Sequence, residues 1–324
     1  MKKKAFVLFG VLLITVLFAV CIGRYPISFH EILDAFVYHK EGVKSTIITS
    51  IRLPRILCVM LCGGALSLAG AIYQHLFRNP LVSGDLLGVS SGACVGAIIG
   101  MLCGVSSWFV SLLAFGCGLI TMMLAFILAK NVQGSKTLNL IIAGIVISAM
   151  EDALIMLCKM GADPSNQLPT IELFLMGGFS TITWEHVYYS AVFILPISIG
   201  LYFFRWQIEV LSYGKEEAMA LGVPVLFIER LAIASATLLI AAVVSIAGIV
   251  SWISLIIPHI VRLFYGRGLK DRYFHYILMG GIVSILCDTI ARTLFTIEIP
   301  ISIVTSILGG IVLIILFRRK QVRL

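Results

Sequence analysis

The chain has 324 residues, 60% of them hydrophobic and only 12% charged, with a mean hydropathy of +1.07. Soluble domains carry roughly 25% charged residues, so this composition excludes a soluble fold and predicts an all-α polytopic membrane protein with room for about ten spans. Apolar runs that are continuous rather than alternating exclude a closed β-barrel. The net charge of +8 fits Lys and Arg anchors at a membrane surface, not a nucleic-acid stripe.

In chain order, Lys2-Lys3-Lys4 opens a first apolar span, about 5–23. Phe18-Ala19-Val20-Cys21 lacks the small residue expected just before a cleavage site, so this span reads as a retained helix with its basic end in the cytoplasm. Ser28 is placed to cap a short outer amphipathic helix carrying Glu31 and Asp34. The second span begins after Arg52-Leu53-Pro54-Arg55 and ends near Phe77, where a tight inner connection from Arg78 to Asp85 holds Pro80 and Gly84. Gly92, Gly96, Gly100 and Gly104 then form a four-residue ladder, the pattern of a close helix-packing seam. Further spans are predicted at about 108–129, 139–159 and 187–205, the last two separated by an outer segment with Asp163-Pro164 and Met176-Gly177-Gly178-Phe179.

A polar island follows at residues 213–225. Glu216 to Leu221 reads as one or two helical turns stopped by Gly222 and Pro224. Such a segment is a poor span and a good contact for another protein that pushes on it. Spans near 228–248, 250–264, 274–294 and 300–317 complete the chain, a single transmembrane domain over 1–324. This threading puts 17 of the 24 Lys and Arg on the inner side and seven outside, with both termini cytoplasmic.

Catalytic motifs are missing. Gly214-Lys215 is followed by Glu216 and lacks the upstream glycine of a P-loop, so the chain binds no ATP by that device. There is no His-Glu-x-x-His, no Gly-x-Ser-x-Gly and no metal-ligand cluster, which predicts a non-enzyme without a resident metal or cofactor. The eight cysteines form no Cys-x-x-Cys and read as small, reduced side chains, and His259 reads as structural. Acids inside apolar runs, Glu151, Asp152 and Asp288, keep an ion-coupled secondary transporter open as an alternative at this point.

Arg52-Leu53-Pro54-Arg55, Gly70-Ala71-Ile72-Tyr73-Gln74, Arg78-Asn79-Pro80-Leu81, Leu87-Gly88-Val89-Ser90-Ser91-Gly92-Ala93, Ala220-Leu221-Gly222-Val223, Ile257-Pro258-His259-Ile260-Val261-Arg262, Asp288 with Arg292, and Glu298-Ile299-Pro300 resemble the permeases of iron–siderophore and vitamin B12 ABC importers. The resemblance spans nearly the whole chain. It implies about ten transmembrane helices and a dimer, formed with a second copy or a related permease, whose axis is the cargo path. It also implies a multi-pass location in a bacterial inner membrane, two cytoplasmic ATPase subunits that carry the ATP and Mg, and an extracytoplasmic substrate-binding protein.

Residue by residue, the same resemblance makes 213–225 the coupling segment, with Glu217, Ala218, Leu221 and Gly222 facing the ATPase and Leu221 as its apolar anchor. Arg52, Arg55 and Arg292 match the arginines that receive acids of the binding protein, and Asp288, one turn before Arg292, is placed to hold that side chain. Thr137 matches a cytoplasmic gate. The fifth span matches the helix lining the path, and its adjacent acids Glu151 and Asp152 depart from the small or weakly polar residues of relatives. Neighbours on a helix lie about 100° apart, so one acid is expected in the path and the other against a neighbouring helix. The expected cargo is a ferric siderophore, with haem or cobalamin as alternatives, and the acids favour a neutral or cationic complex.

Overall fold

The computed structural model describes residues 2–28, 30–31, 42–83, 87–130 and 136–318, and helices are the only regular elements among them. In chain order these are α1 (Lys2–Cys21), α2 (Val43–Leu76), α3 (Val89–Leu102), α4 (Ser107–Lys130), α5 (Lys136–Gly161), α6 (Gln167–Met176), α7 (Trp184–Leu211), α8 (Lys215–Ala220), α9 (Val225–Ala247), α10 (Ile253–Tyr265), α11 (Tyr273–Thr293) and α12 (Ile301–Arg318). Seven of them, α1, α2, α4, α5, α7, α9 and α11, are long and apolar enough to cross a membrane; α3, α10 and α12 are shorter apolar helices.

The core is built on α2. Its apolar window is 83% buried, against 72% for α9 and only 22–33% for α1, α4, α5 and α7. Small residues let α2 sit there. A Cβ on Gly70 would lie 1.8 Å from the Ser254 carbonyl of α10, and one on Gly63 would lie 2.6 Å from the Gly280 carbonyl of α11. The glycine ladder does the same for α3: a Cβ on Gly96 would meet the Leu113 carbonyl of α4 at 2.4 Å. Gly104 instead lies beyond the helix end, in a left-handed turn with φ 65°.

Four boundaries differ from the sequence expectation, each for a local reason. Helix α2 starts at Val43 and runs through Pro54, because Ile47–Arg52 forms a π-turn in which the Leu53 N–H bonds the Ile48 carbonyl. A wider turn absorbs the proline that would break an α-helix. The outer segment before α7 contains an unexpected helix, α6, and α7 itself has 28 residues with Pro196 inside. The expected span 250–264 is only the 13-residue α10, about 20 Å long, too short for a bilayer core of about 30 Å.

The α9–α10 joint explains that last difference. Gly248 (φ 66°) is clasped against the Phe174 carbonyl, Gly177 (φ 71°) against the Ile249 carbonyl, and the Gly178 N–H donates to Ala247 at 2.8 Å. The chain therefore leaves the helix at Gly248 and re-enters it after Trp252, whose φ of 69° is left-handed. Helix α3 starts in the same way, from Gly88 with φ 71°. Near the outer end, Ser28 and Glu31 form a reciprocal capping box: the Ser28 N–H donates to Glu31 Oε2 at 2.9 Å and the Glu31 N–H to Ser28 Oγ at 3.4 Å. The Lys44 ammonium, then the Ser28 N–H, hold the Glu31 carboxyl down at about 2. Asp34 lies outside the described residues.

Candidate functional site

Three polar constructions stand out in this apolar fold. The first gathers α1, α2 and α11. Arg55 is forked onto Asp288, with Nε 3.0 Å from Oδ2 and Nη2 2.8 Å from Oδ1, and its Nη1 donates to Glu298 Oε2 at 2.9 Å. Arg52 donates to the carbonyls of Val20, Cys21 and Tyr25, and Arg292 to that of Ala19. Those are carbonyls of the last turn of α1 and the residues after it, where a helix has no intrahelical donors left and carries its negative dipole end. Two guanidiniums thus cap α1. A Cβ on Gly23 would lie 2.5 Å from Arg52 Nη2, so a side chain there would displace the guanidinium from its carbonyls.

This arrangement refines two expectations. Arg52, Arg55 and Arg292 come together, and at 5%, 8% and 6% exposure each is buried and has a partner within the subunit. Asp288 supports mainly Arg55; its Oδ2 is 3.8 Å from Arg292 Nε. The physical reason is reach: α2 and α11 pack side by side, so a tighter cross-helix fork is added to the expected i,i+4 ion pair, which is kept at 3.8 Å. The contact of Glu298 with Arg55 has no signal in the sequence, since the Glu298-Ile299-Pro300 segment that aims it carries no periodicity.

The second construction is α8 and its flanks. Gly222 (φ 76°) ends the helix in a Schellman motif, with Val223 N–H on Ala218 O and Gly222 N–H on Met219 O, both 2.9 Å. Lys215 Nζ reaches Glu229 Oε2 at 2.8 Å and ties α8 to α9. Leu221 and Met219 are each 58% exposed, and Glu216, Glu217 and Gly222 are exposed beside them. Ala218 is wholly buried, a correction to its expected place on the open face: on a six-residue helix one side must close over α7 and α9, and Ala218 lies on that side. A cleft of about 480 Å³, lined by Arg78, Lys215, Glu216 and Glu229 among others, opens beside this face.

The third is the acid pair on α5. Glu151 is buried against α4, where Thr121 Oγ1 donates to its Oε1, and Gly92 leaves the room: a Cβ there would be 2.8 Å from that oxygen. Asp152 is exposed, with Ser91 Oγ donating to Oδ1 at 3.0 Å. The two acids therefore diverge as their 100° spacing requires. Thr121 and Ser91 are partners that no motif disclosed. Thr137 falls at the start of α5, and its side chain lies outside the described residues.

Comparison with known proteins gives a consistent picture. The chain is 35% identical over 314 residues to the molybdate import system permease protein MolB of Haemophilus influenzae, covering 94% of this chain and 93% of that protein. It is 33% identical over 294 residues to a protein of Helicobacter pylori named as a probable iron chelatin transport system permease, covering 90% and 89%. A solved structure described as an inward-facing metal-chelate type ABC transporter superposes with a TM-score of 0.90 at 33% identity, covering 98% of this chain and all of that one. Residues 11–319 match the FecCD transport family, and the chain belongs to that family as a membrane-spanning permease subunit of an ABC importer.

Proposed function

We propose that this permease forms a dimer of ten-helix subunits that carries a neutral or cationic metal chelate, foremost a ferric siderophore, along the dimer axis. An extracytoplasmic binding protein delivers the cargo at the end bearing Arg52, Arg55 and Arg292, and a pair of ATPase subunits drives transport through α8 from the other. Haem and cobalamin are the alternatives. Sequence identity does not choose the cargo, since the molybdate and iron chelatin relatives differ by only two percentage points, 35% against 33%.

Charge does choose. The observation that carries the reading is Asp152: exposed on the helix matched to the path, it would present one carboxylate per subunit to whatever passes. Two fixed negative charges oppose a dianion such as molybdate. In water a unit charge at 5–8 Å contributes roughly 0.5–0.8 kcal/mol per charge pair, about a two- to fourfold discrimination for each carboxylate and each cargo charge. Glu151, turned into α4, contributes packing and hydrogen bonding instead. The test is uptake of chelates of different charge by vesicles containing the complete importer. Asp152→Asn is expected to raise the relative uptake of anionic chelates a few fold, whereas Glu151→Gln leaves the ranking unchanged. An unaltered ranking in Asp152→Asn overturns the assignment.

A further inference from the structure

Helices α7 and α11 both pack along α2, yet they form no close helix seam with each other. Side chains join them at the end nearest α8. The Tyr273 hydroxyl crosses the gap to donate to the Ser198 carbonyl. The Tyr202 ring meets Phe274 at 5.2 Å and Tyr273 at 5.5 Å between centroids. Two helices held apart over a third leave a notch between them on the side away from α2. Its walls are apolar and open, since Ile199, Phe203 and Phe274 are all exposed.

Arg205 sits at the α8 end of this notch. Its guanidinium carbon lies 3.7 Å from the centre of the Tyr202 ring, and its Nη1 donates to the Tyr202 carbonyl. Stacking and that bond fix the planar group without neutralising it. The acid placed to neutralise it is Glu209, one helical turn further on. Glu209 is engaged elsewhere: it accepts from the Lys270 N–H at 2.6 Å and from the Tyr213 hydroxyl at 3.2 Å. Arg205 makes no ion pair among the described residues. The Lys270 bond also holds the α10–α11 loop against the end of α7, and that loop adds charge of the same sign. Over 205–209 and 267–272, four cations (Arg205, Arg267, Lys270 and Arg272) stand against two acids, Glu209 and Asp271.

We infer that this notch holds an anionic glycerophospholipid, its phosphate on Arg205 and an acyl chain along Ile199, Phe203 and Phe274. A guanidinium is a planar fork of donors that matches two phosphate oxygens, and this one is already oriented by Tyr202. Tyr202 and Trp206 on either side of it are the residue types that settle at headgroup depth. The excess of cations selects a headgroup that brings no ammonium of its own. The apolar wall selects a lipid over a free phosphate, because only a lipid has a chain to lay against it. Once bound, the lipid braces α7 against α11 beside the Glu209–Lys270 tie, so its effect is felt by the whole fold.

The experiment follows the thermal unfolding of the full-length permease in phosphatidylcholine nanodiscs whose phosphatidylglycerol fraction is raised at constant ionic strength. A saturable rise in Tm is expected. Arg205→Gln keeps a stem over Tyr202 but no charge, and is expected to raise the fraction at half-effect about fivefold. Lys130→Gln, at an exposed cation ending α4 and outside the notch, is expected to leave it unchanged. Native mass spectrometry of the wild-type protein from mixed-lipid discs is expected to retain phosphatidylglycerol in preference to phosphatidylcholine, which decides the matter even where a variant does not fold. The proposal is overturned by a wild-type Tm indifferent to phosphatidylglycerol, by both lipids being retained equally, or by an unchanged midpoint in Arg205→Gln. An equal shift in Lys130→Gln overturns it as well, since surface charge in general would then be responsible. So does glycerophosphoglycerol, the same headgroup without chains, if it raises Tm as well as the lipid does.

Discussion

Replacing Asp288 with Asn tests the buried fork at its centre. Arg55 and Asp288 side chains are 10% and 3% exposed, so the pair is removed from water and its loss is not comparable to that of a surface ion pair. Breaking a buried pair by deleting one partner costs about 3–5 kcal/mol, because the remaining charge is left uncompensated. Two details of this site reduce that figure. Arg55 keeps Glu298 at 2.9 Å, and the amide oxygen of Asn can still accept one hydrogen bond. The expected loss is therefore about 2–3 kcal/mol. It is to be read from reversible unfolding in mixed micelles, with Arg55→Gln and the double variant completing a cycle. Glu298→Gln, at a side chain 33% exposed, should cost no more than about 1 kcal/mol. A loss below about 0.5 kcal/mol in Asp288→Asn, or a coupling of that size in the cycle, would refute the buried fork.

Leu221→Asp is expected to leave the Tm of the isolated permease unchanged, since the side chain is exposed, and to abolish stimulation of the ATPase by loaded binding protein, since a charge placed in that contact costs several kcal/mol. Normal stimulation would show that α8 is a solvated loop. Arg52→Glu is expected to uncap the Val20, Cys21 and Tyr25 carbonyls, weaken binding-protein association and flatten its dependence on salt. Association unchanged at low salt in a variant that keeps its fold would remove Arg52 from docking.

Composition and charge placement made the membrane class legible, because hydropathy and cation bias are one-dimensional properties. The stop at Gly222 was legible too, since a Schellman turn is written within five residues. What the sequence hid is three-dimensional. Nothing in an apolar run tells a 23-residue span such as α9 from a 13-residue half-helix such as α10 when the break between them, Gly248 to Trp252, contains only one glycine and no proline. The partners of Arg52 and Arg292 within the subunit were hidden because they include backbone carbonyls of α1, and carbonyls have no sequence signature. Ala218 looked like part of an exposed face because helical periodicity cannot say which side of so short a helix closes against its neighbours.

The placement of prolines gives the fold a mechanical direction. Helices α7 and α10 contain Pro196 and Pro258, points where a helix loses a hydrogen bond and can bend, whereas α9 contains none and spans about 34 Å. At one end α9 is tied to α8 by Lys215 and Glu229. Midway the Tyr73 hydroxyl donates to Thr237 at 2.5 Å, fastening it to α2. At the other end it stops at Gly248, in the joint clasped by Gly177 and by Ser302, which donates to the Ile249 carbonyl at 2.6 Å. A rod braced in this way moves as a unit, so displacement of α8 is delivered to the joint before α10 rather than absorbed along the way.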